Sequence, residues 1–152
     1  YKPYIISTNA DCEAKSLGRW FARTARAIRE DNPWKLELPC AVIVGGETVV
    51  KVTGNGLGGR NQEIALQAAE GIQGMEKTVL FSLASDGTDG PTDAAGGIVD
   101  GYTVKALEDK GMNIREYLED NDAYCALQEV NGLIMTGPTG TNVNDVTVLL
   151  IK

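Results

Sequence analysis

Apolar positions along the chain alternate between strand-length runs and helical spacings. Tyr4-Ile5-Ile6-Ser7 reads as a short strand, with Asn9 or Asp11 as the N-cap of a helix from about Cys12 to Arg29. Leu17, Phe21, Ala25 and Ile28 recur there at spacings of three and four, one apolar face that predicts packing on a sheet. Beyond Pro33 and Pro39, Cys40-Ala41-Val42-Ile43-Val44 is a continuous apolar run of strand length. Thr48-Val49-Val50-Lys51-Val52 follows a Gly-Gly-Glu turn, which predicts an antiparallel strand pair. A second helix is predicted from about Asn61 to Gly71, with Ile64, Ala65 and Ala68 as its apolar stripe. Thr78 to Ala84 then reads as a buried strand. Two shorter helices are predicted, from about Tyr102 to Lys110 with a stop at Gly111, and near Asp122 to Glu129. Leu133 to Thr136 and Val146 to Ile151 close the chain. This alternation predicts an α/β domain with a mixed β-sheet flanked by helices.

At 152 residues and 43% hydrophobic content, the chain can bury one sizeable core but not two. Fourteen Lys and Arg against 21 Asp and Glu leave a net charge of −7, which opposes the phosphate attraction that nucleic-acid binding needs. The same charge requires any anion site to be built locally, from backbone amides and a few cations. There is no histidine, so Ser-His-Asp and Cys-His catalysis are excluded within this chain. A metal here would be a hard ion held by oxygens. Cys12, Cys40 and Cys125 have no CxxC spacing and read as buried thiols of a cytoplasmic protein. No apolar window approaches the roughly 18 residues of a membrane span, and no leader pattern opens the chain. The start at Tyr1, without Met, fits a segment cut from a longer protein.

Glycines and small polar residues collect in four places: Gly45-Gly46-Glu47, Gly54 to Glu63, Asp86 to Gly97, and Thr136 to Asp145. Each adjoins a predicted strand, where the loops of an α/β sheet converge on ligands. Gly54 to Gly59 matches G-x-G-x-x-G literally, but the dinucleotide fingerprint wants an acid about 20 positions on. The next strand-end acid, Asp86, lies 27 residues beyond Gly59. The loop from Asp86 to Asp93 sets three carboxylates among glycines and could hold Mg²⁺ through oxygens. Its Asp86 and Asp89 should face a cleft opposite the Thr136 to Asp145 loop. That second loop offers hydroxyls and amides suited to a phosphate or carboxylate, and no Walker A sequence occurs anywhere.

Taken in order, Gly45 to Thr48, Gly58 to Glu63, Ser85 to Gly96 and Thr136 to Asp145 resemble the MOFRL domain of type 2 glycerate kinases. The resemblance spans roughly Cys40 to Lys152, and residues 1–39 resemble the strand and helix that precede it. It implies the C-terminal half of a two-domain enzyme that transfers the γ-phosphoryl of ATP to the 2-hydroxyl of D-glycerate with Mg²⁺. An N-terminal domain of the same enzyme would form the other wall of the cleft, so the 152-residue chain alone should be inactive. By the same resemblance Arg60, Asp86 and Asp89 carry catalysis, with Asp86 and Asp89 on the metal. Glu47, Asn61, Thr139, Thr141 and Asn142 contact substrate or nucleotide. Arg60 would neutralise the transferred phosphoryl or clamp the glycerate carboxylate. Two competing readings are an NAD(P)-dependent hydroxypyruvate reductase domain and a non-catalytic anion- or metal-binding module. Neither a membrane nor a nucleic acid is an expected partner.

Overall fold

The computed structural model describes residues 1–152. In chain order its elements are β1 (Lys2–Ala10), α1 (Ala14–Glu30), β2 (Cys40–Gly46), α2 (Arg60–Ile72), β3 (Thr78–Ala84), β4 (Gly96–Asp100), α3 (Thr103–Asp109), α4 (Ile114–Glu119), α5 (Ala123–Glu129), β5 (Leu133–Ile134) and β6 (Asp145–Ile151). They form one six-stranded sheet in the order β1-β2-β6-β3-β4-β5. The β1–β2 pair is parallel and the other pairs are antiparallel. The expected single α/β domain with a mixed sheet is therefore the architecture found.

Burial follows the two periodicities. Along β3, Thr78, Leu80, Ser82 and Ala84 are buried while Val79, Phe81 and Leu83 are only half-buried, so the strand commits one face to the core. On α1, Leu17, Phe21, Ala25 and Ile28 point inward as their spacing predicts. The helix α2 is buried from Asn61 through Ala69, because α1, α4 and α5 and the strands β3 and β4 all pack on it. Phe21, Ile64, Leu66, Leu80 and Leu149 are fully buried, each stabilising the fold by roughly 1.5–3 kcal/mol. Small residues let the layers approach: a Cβ on Gly97 would lie 2.7 Å from Leu127 and 3.0 Å from Ala65.

Three expectations need correction, the first being the burial of all three cysteines, since Cys40 is buried but Cys12 is exposed and Cys125 half-buried. Residues 48–52 do not form a strand or a hairpin with β2, because both edges of β2 are already taken by β1 and β6. Instead Val49 donates to the Cys12 carbonyl at 3.1 Å and accepts from the Ala14 N–H at 2.9 Å, tying the chain to the start of α1. The helix α1 starts at Ala14 after Glu13, with no side-chain cap from Asn9 or Asp11. Two elements went unread: β4, which opens with a pair of glycines, and the six-residue α4, capped by Asn113 through its bond from the Arg115 N–H. No helix is long and apolar enough to cross a membrane.

Candidate functional site

The C-terminal ends of β2 and β3 meet the N-terminal end of β6, where Gly46 and Ala84 both pair with Asp145. The first residue of α2, Arg60, reaches into this junction. Its Nε and Nη2 donate to the Asp145 carboxylate at 2.5 and 3.1 Å, a paired fork. Nη1 lies 3.2 Å from the Glu47 carboxylate. The hydrogen bond to Asp145 leads the causes that hold the Arg60 guanidinium above its ordinary pKa, with burial opposing it. One N–H on each terminal nitrogen remains free to meet a ligand. Asp145 is buried, whereas the Glu47 side chain is 60% exposed, so Asp145 fixes the guanidinium and Glu47 flanks it in solvent.

Beside this pair lies the loop after β3. Asp86 is half-buried, with one carboxylate oxygen accepting from the Thr88 N–H at 3.0 Å and the other facing the Asn142 amide at 3.4 Å. Its carbonyl accepts from the Thr139 N–H at 3.1 Å, and the Thr139 hydroxyl donates to the Ser85 carbonyl at 2.5 Å. Thr141 is exposed, and its N–H approaches the Thr139 hydroxyl at 3.4 Å. The expected juxtaposition of Asp86 with the Thr136 to Asp145 loop is therefore present. Because Asn144 accepts from Ser85 directly before Asp145, Asp86 and Arg60 belong to one end of the sheet.

Asp89 does not join them. It is 1% exposed, and its carboxylate accepts from the Asn61 N–H at 3.1 Å, the Asn61 Nδ2 at 3.1 Å and the Gln62 N–H at 2.9 Å. The two backbone N–H groups are orphan amides of the first turn of α2, so Asp89 acts as a cap supplied from a distant loop. Burial leads in raising its pKa, opposed by the bonds from Gln62 and Asn61. Its expected place on a metal beside Asp86 is corrected: the carboxylate points into the protein and is fully engaged. Asn61 is corrected with it, being fully buried between Asp89 and the Ser82 hydroxyl, which donates to its Oδ1 at 2.6 Å. Neither side chain is exposed to a ligand.

The glycine-rich loop does not form a dinucleotide fingerprint. It follows no strand, and the Asn61 and Gln62 amides that would face a pyrophosphate are taken by Asp89. Its glycines answer to packing: a Cβ on Gly56 would lie 2.3 Å from that of Asp122, and one on Gly59 would lie 2.3 Å from the Asp89 carboxyl carbon. This loop borders a cleft of about 620 Å³ that runs from Glu47 and Arg60 to Glu63 and Asn121. Glu63 is 2% exposed and accepts from the Asn121 Nδ2 at 2.7 Å, with Lys15 Nζ at 3.6 Å. Burial leads in lifting its pKa above the ordinary carboxylate value, against the bonds from Asn121 and Lys15. Sequence reading gave Glu63 and Asp145 no role of their own. The only signal was their membership of polar motifs, because their partners lie far away in the chain.

Residues 40–145 match the MOFRL family. The chain is 54% identical over 148 residues to a D-glycerate 2-kinase of Thermotoga maritima, covering 97% of this chain and 35% of that protein. It is 44% identical over 152 residues to a glycerate 2-kinase of Pyrococcus horikoshii, covering 99% and 34%. The crystal structure of a glycerate kinase from Thermotoga maritima superposes with a TM-score of 0.97 at 51% identity, over all of this chain and 36% of that one. The chain thus spans about a third of the length of the curated relatives it matches.

Proposed function

The chain belongs to the MOFRL family, and from that premise we propose that it supplies one wall of the active site of a glycerate 2-kinase. In this reading the γ-phosphoryl of ATP passes to the 2-hydroxyl of D-glycerate. A bond forms between the hydroxyl oxygen and the γ-phosphorus, the bond to the β,γ-bridging oxygen breaks, and ADP leaves. Such a transfer asks the protein mainly to position its reactants and to offset negative charge. The observation that carries the proposal is Arg60, held in a fork by buried Asp145 where the strand ends converge, with free N–H groups left over. A guanidinium fixed in that way meets a phosphoryl or carboxylate without reorganising.

The donor set also fits Mg²⁺. A magnesium ion needs one or two protein carboxylates and takes most of its remaining oxygens from water and phosphate. Asp86, with the Thr139 hydroxyl and the Asn142 amide nearby, supplies such a set without Asp89. The metal, when bound, would neutralise charge on the phosphates. Asp86 would also orient the attacking hydroxyl and accept its proton.

The charge balance supports a second wall. Arg60 is already flanked by Asp145 and Glu47, so this end of the sheet carries more negative than positive charge. Anionic ATP and glycerate need further cations, from Mg²⁺ and from the polypeptide beyond this domain. The test is Asp145→Asn in the full-length protein, which spoils the fork but leaves Arg60 charged. Turnover should fall at least tenfold. Wild-type turnover with unchanged KM values would remove Arg60 from the transition state.

A further inference from the structure

All five helices lie on one face of the sheet. A single buried cluster joins side chains from each of them to Val42, Leu80, Val99 and Leu149, which share that face of β2, β3, β4 and β6. The opposite face carries Ile5, Ile43, Val148, Phe81 and Ile98, paired neighbour to neighbour in one row across β1, β2, β6, β3 and β4. None of the five belongs to the buried cluster. Leu150 beside Val79, and Val146 beside Leu83, widen the row on either side.

An antiparallel sheet with one face in water alternates apolar inward and polar outward residues. Here every outward position of β3 and β6 is apolar. The polar Ser82 and Thr147 point inward instead, toward the helices, and share a hydrogen bond of 2.7 Å. It is the outer surface of the helix layer that suits solvent, with Arg19, Arg23, Arg26 and Glu30 exposed along α1 and Lys105 and Glu108 along α3. The sheet face has the composition of a surface that is covered.

Size and chain direction identify the cover. Outward residues about 7 Å apart, on strands about 4.8 Å apart, give this face roughly 500 Å². A second copy stacked on it would bury about 1,000 Å² in total, short of the roughly 1,600 Å² of a standard stable interface but inside the roughly 600–1,500 Å² of contacts between domains of one chain. Lys2 and Ile151 both pair with Cys40, so both ends of the chain leave the sheet roughly 20 Å from the Gly46–Asp145 junction that holds Arg60. The matched region is 35% of the Thermotoga maritima relative. The remainder of such a protein, joined at the far end, must pass the length of the domain to reach the cleft. The charged helix surface offers it no apolar contact, whereas the sheet face does.

We propose that the open sheet face is the docking surface for the polypeptide of the same full-length chain that lies outside these 152 residues, which packs an apolar layer across Ile43, Phe81 and Ile98 on its way to the second wall of the cleft. The choice of this occupant rests on the second wall that the phosphotransferase reading requires.

In the full-length protein, alkylation of introduced thiols under native conditions reads the face directly. Ile5→Cys and Ile98→Cys replace side chains 67% and 40% exposed on the domain alone, at the two ends of the row, and leave its core untouched. Arg23→Cys, on the outer surface of α1, is the reference. Mass spectrometry of the peptide that carries each new thiol separates it from Cys12, Cys40 and Cys125. Both face variants should react at least about 20-fold more slowly than Arg23→Cys, and the ratio should hold when the protein is diluted about 100-fold. A faster reaction at either face position, in an enzyme that phosphorylates D-glycerate, overturns the docking face alone. Protection lost on dilution, in step with a fall from two chains to one by light scattering, overturns it in favour of a second copy. Should a variant fail to fold, hydroxyl-radical footprinting of the unsubstituted protein takes the same reading, and oxidation of Ile5 or Ile98 at the rate of a free side chain overturns the proposal. Protection that persists on dilution, in a protein that does not phosphorylate D-glycerate, sustains the docking face and removes the kinase reading.

Discussion

Replacing Asp89 by Ala removes the acceptor for three N–H groups at the start of α2. Loss of a helix cap costs about 0.5–2 kcal/mol, and each buried donor left without a partner about 1–3 kcal/mol. Asp89 is 1% exposed, so water cannot readily replace the lost acceptor. Against this, removing the carboxylate relieves the burial that raises its pKa. The balance is a loss of about 3 kcal/mol, and roughly 10 °C in Tm for a chain of this size. Asp89→Asn keeps one acceptor and turns the other into a donor facing a donor, so about 1–2 kcal/mol should be lost. Urea unfolding at neutral pH, with the slope unchanged, measures both. A metal ligand would behave in the opposite way, with activity and Mg²⁺ dependence lost in Asp89→Asn while stability held. An Asp89→Ala variant within about 0.5 kcal/mol of wild type would refute the capping assignment.

Other variants probe the same end of the sheet. Arg60→Lys in the full-length enzyme should reduce turnover about 10²–10³-fold, because an ammonium cannot hold the Asp145 fork and a ligand together, and steady-state kinetics checks this. Asp86→Asn keeps an acceptor for the Thr88 N–H, so it should leave stability within about 0.5 kcal/mol while raising the Mg²⁺ concentration needed for half-maximal rate. Glu63 has a folded pKa raised above the ordinary 4.5, so its contribution to stability is full below that value and lost as pH rises through the folded value. Glu63→Gln does not titrate there, and unfolding series at rising pH should show it gaining on wild type across that window.

Legibility in the sequence followed chain distance. The run Thr78 to Ala84 forms β3 with the same bounds, and Cys40 opens β2 as read, because continuous apolar strands declare themselves. Val49, Val50 and Val52 looked equally strand-like, yet in the fold they line a cleft beside a β2 whose edges were already filled. The strand β4 was hidden by Gly96 and Gly97, which look like turn residues but serve close packing, Gly96 against the β3 backbone and Gly97 under α2 and α5. Arg60 and Glu47 stood out as large polar groups beside glycines, and the structure brings them together. Asp89 misled because an acidic glycine-rich loop resembles a metal loop, whereas its partners Asn61 and Gln62 lie far upstream. Asp145 and Glu63 carried only the signal of lying in polar motifs, since their individual significance depends on Arg60 and Asn121, brought close only by folding.

The central claim, that this domain is one wall of a shared phosphotransferase site, is tested most directly by assaying the full-length protein and the 152-residue chain side by side. Each is given ATP, Mg²⁺ and D-glycerate, and phosphorus NMR identifies the product. The account predicts 2-phosphoglycerate from the full-length protein and none from the isolated chain. Robust turnover by the 152-residue chain, or no phosphorylated glycerate from the full-length protein, would contradict it.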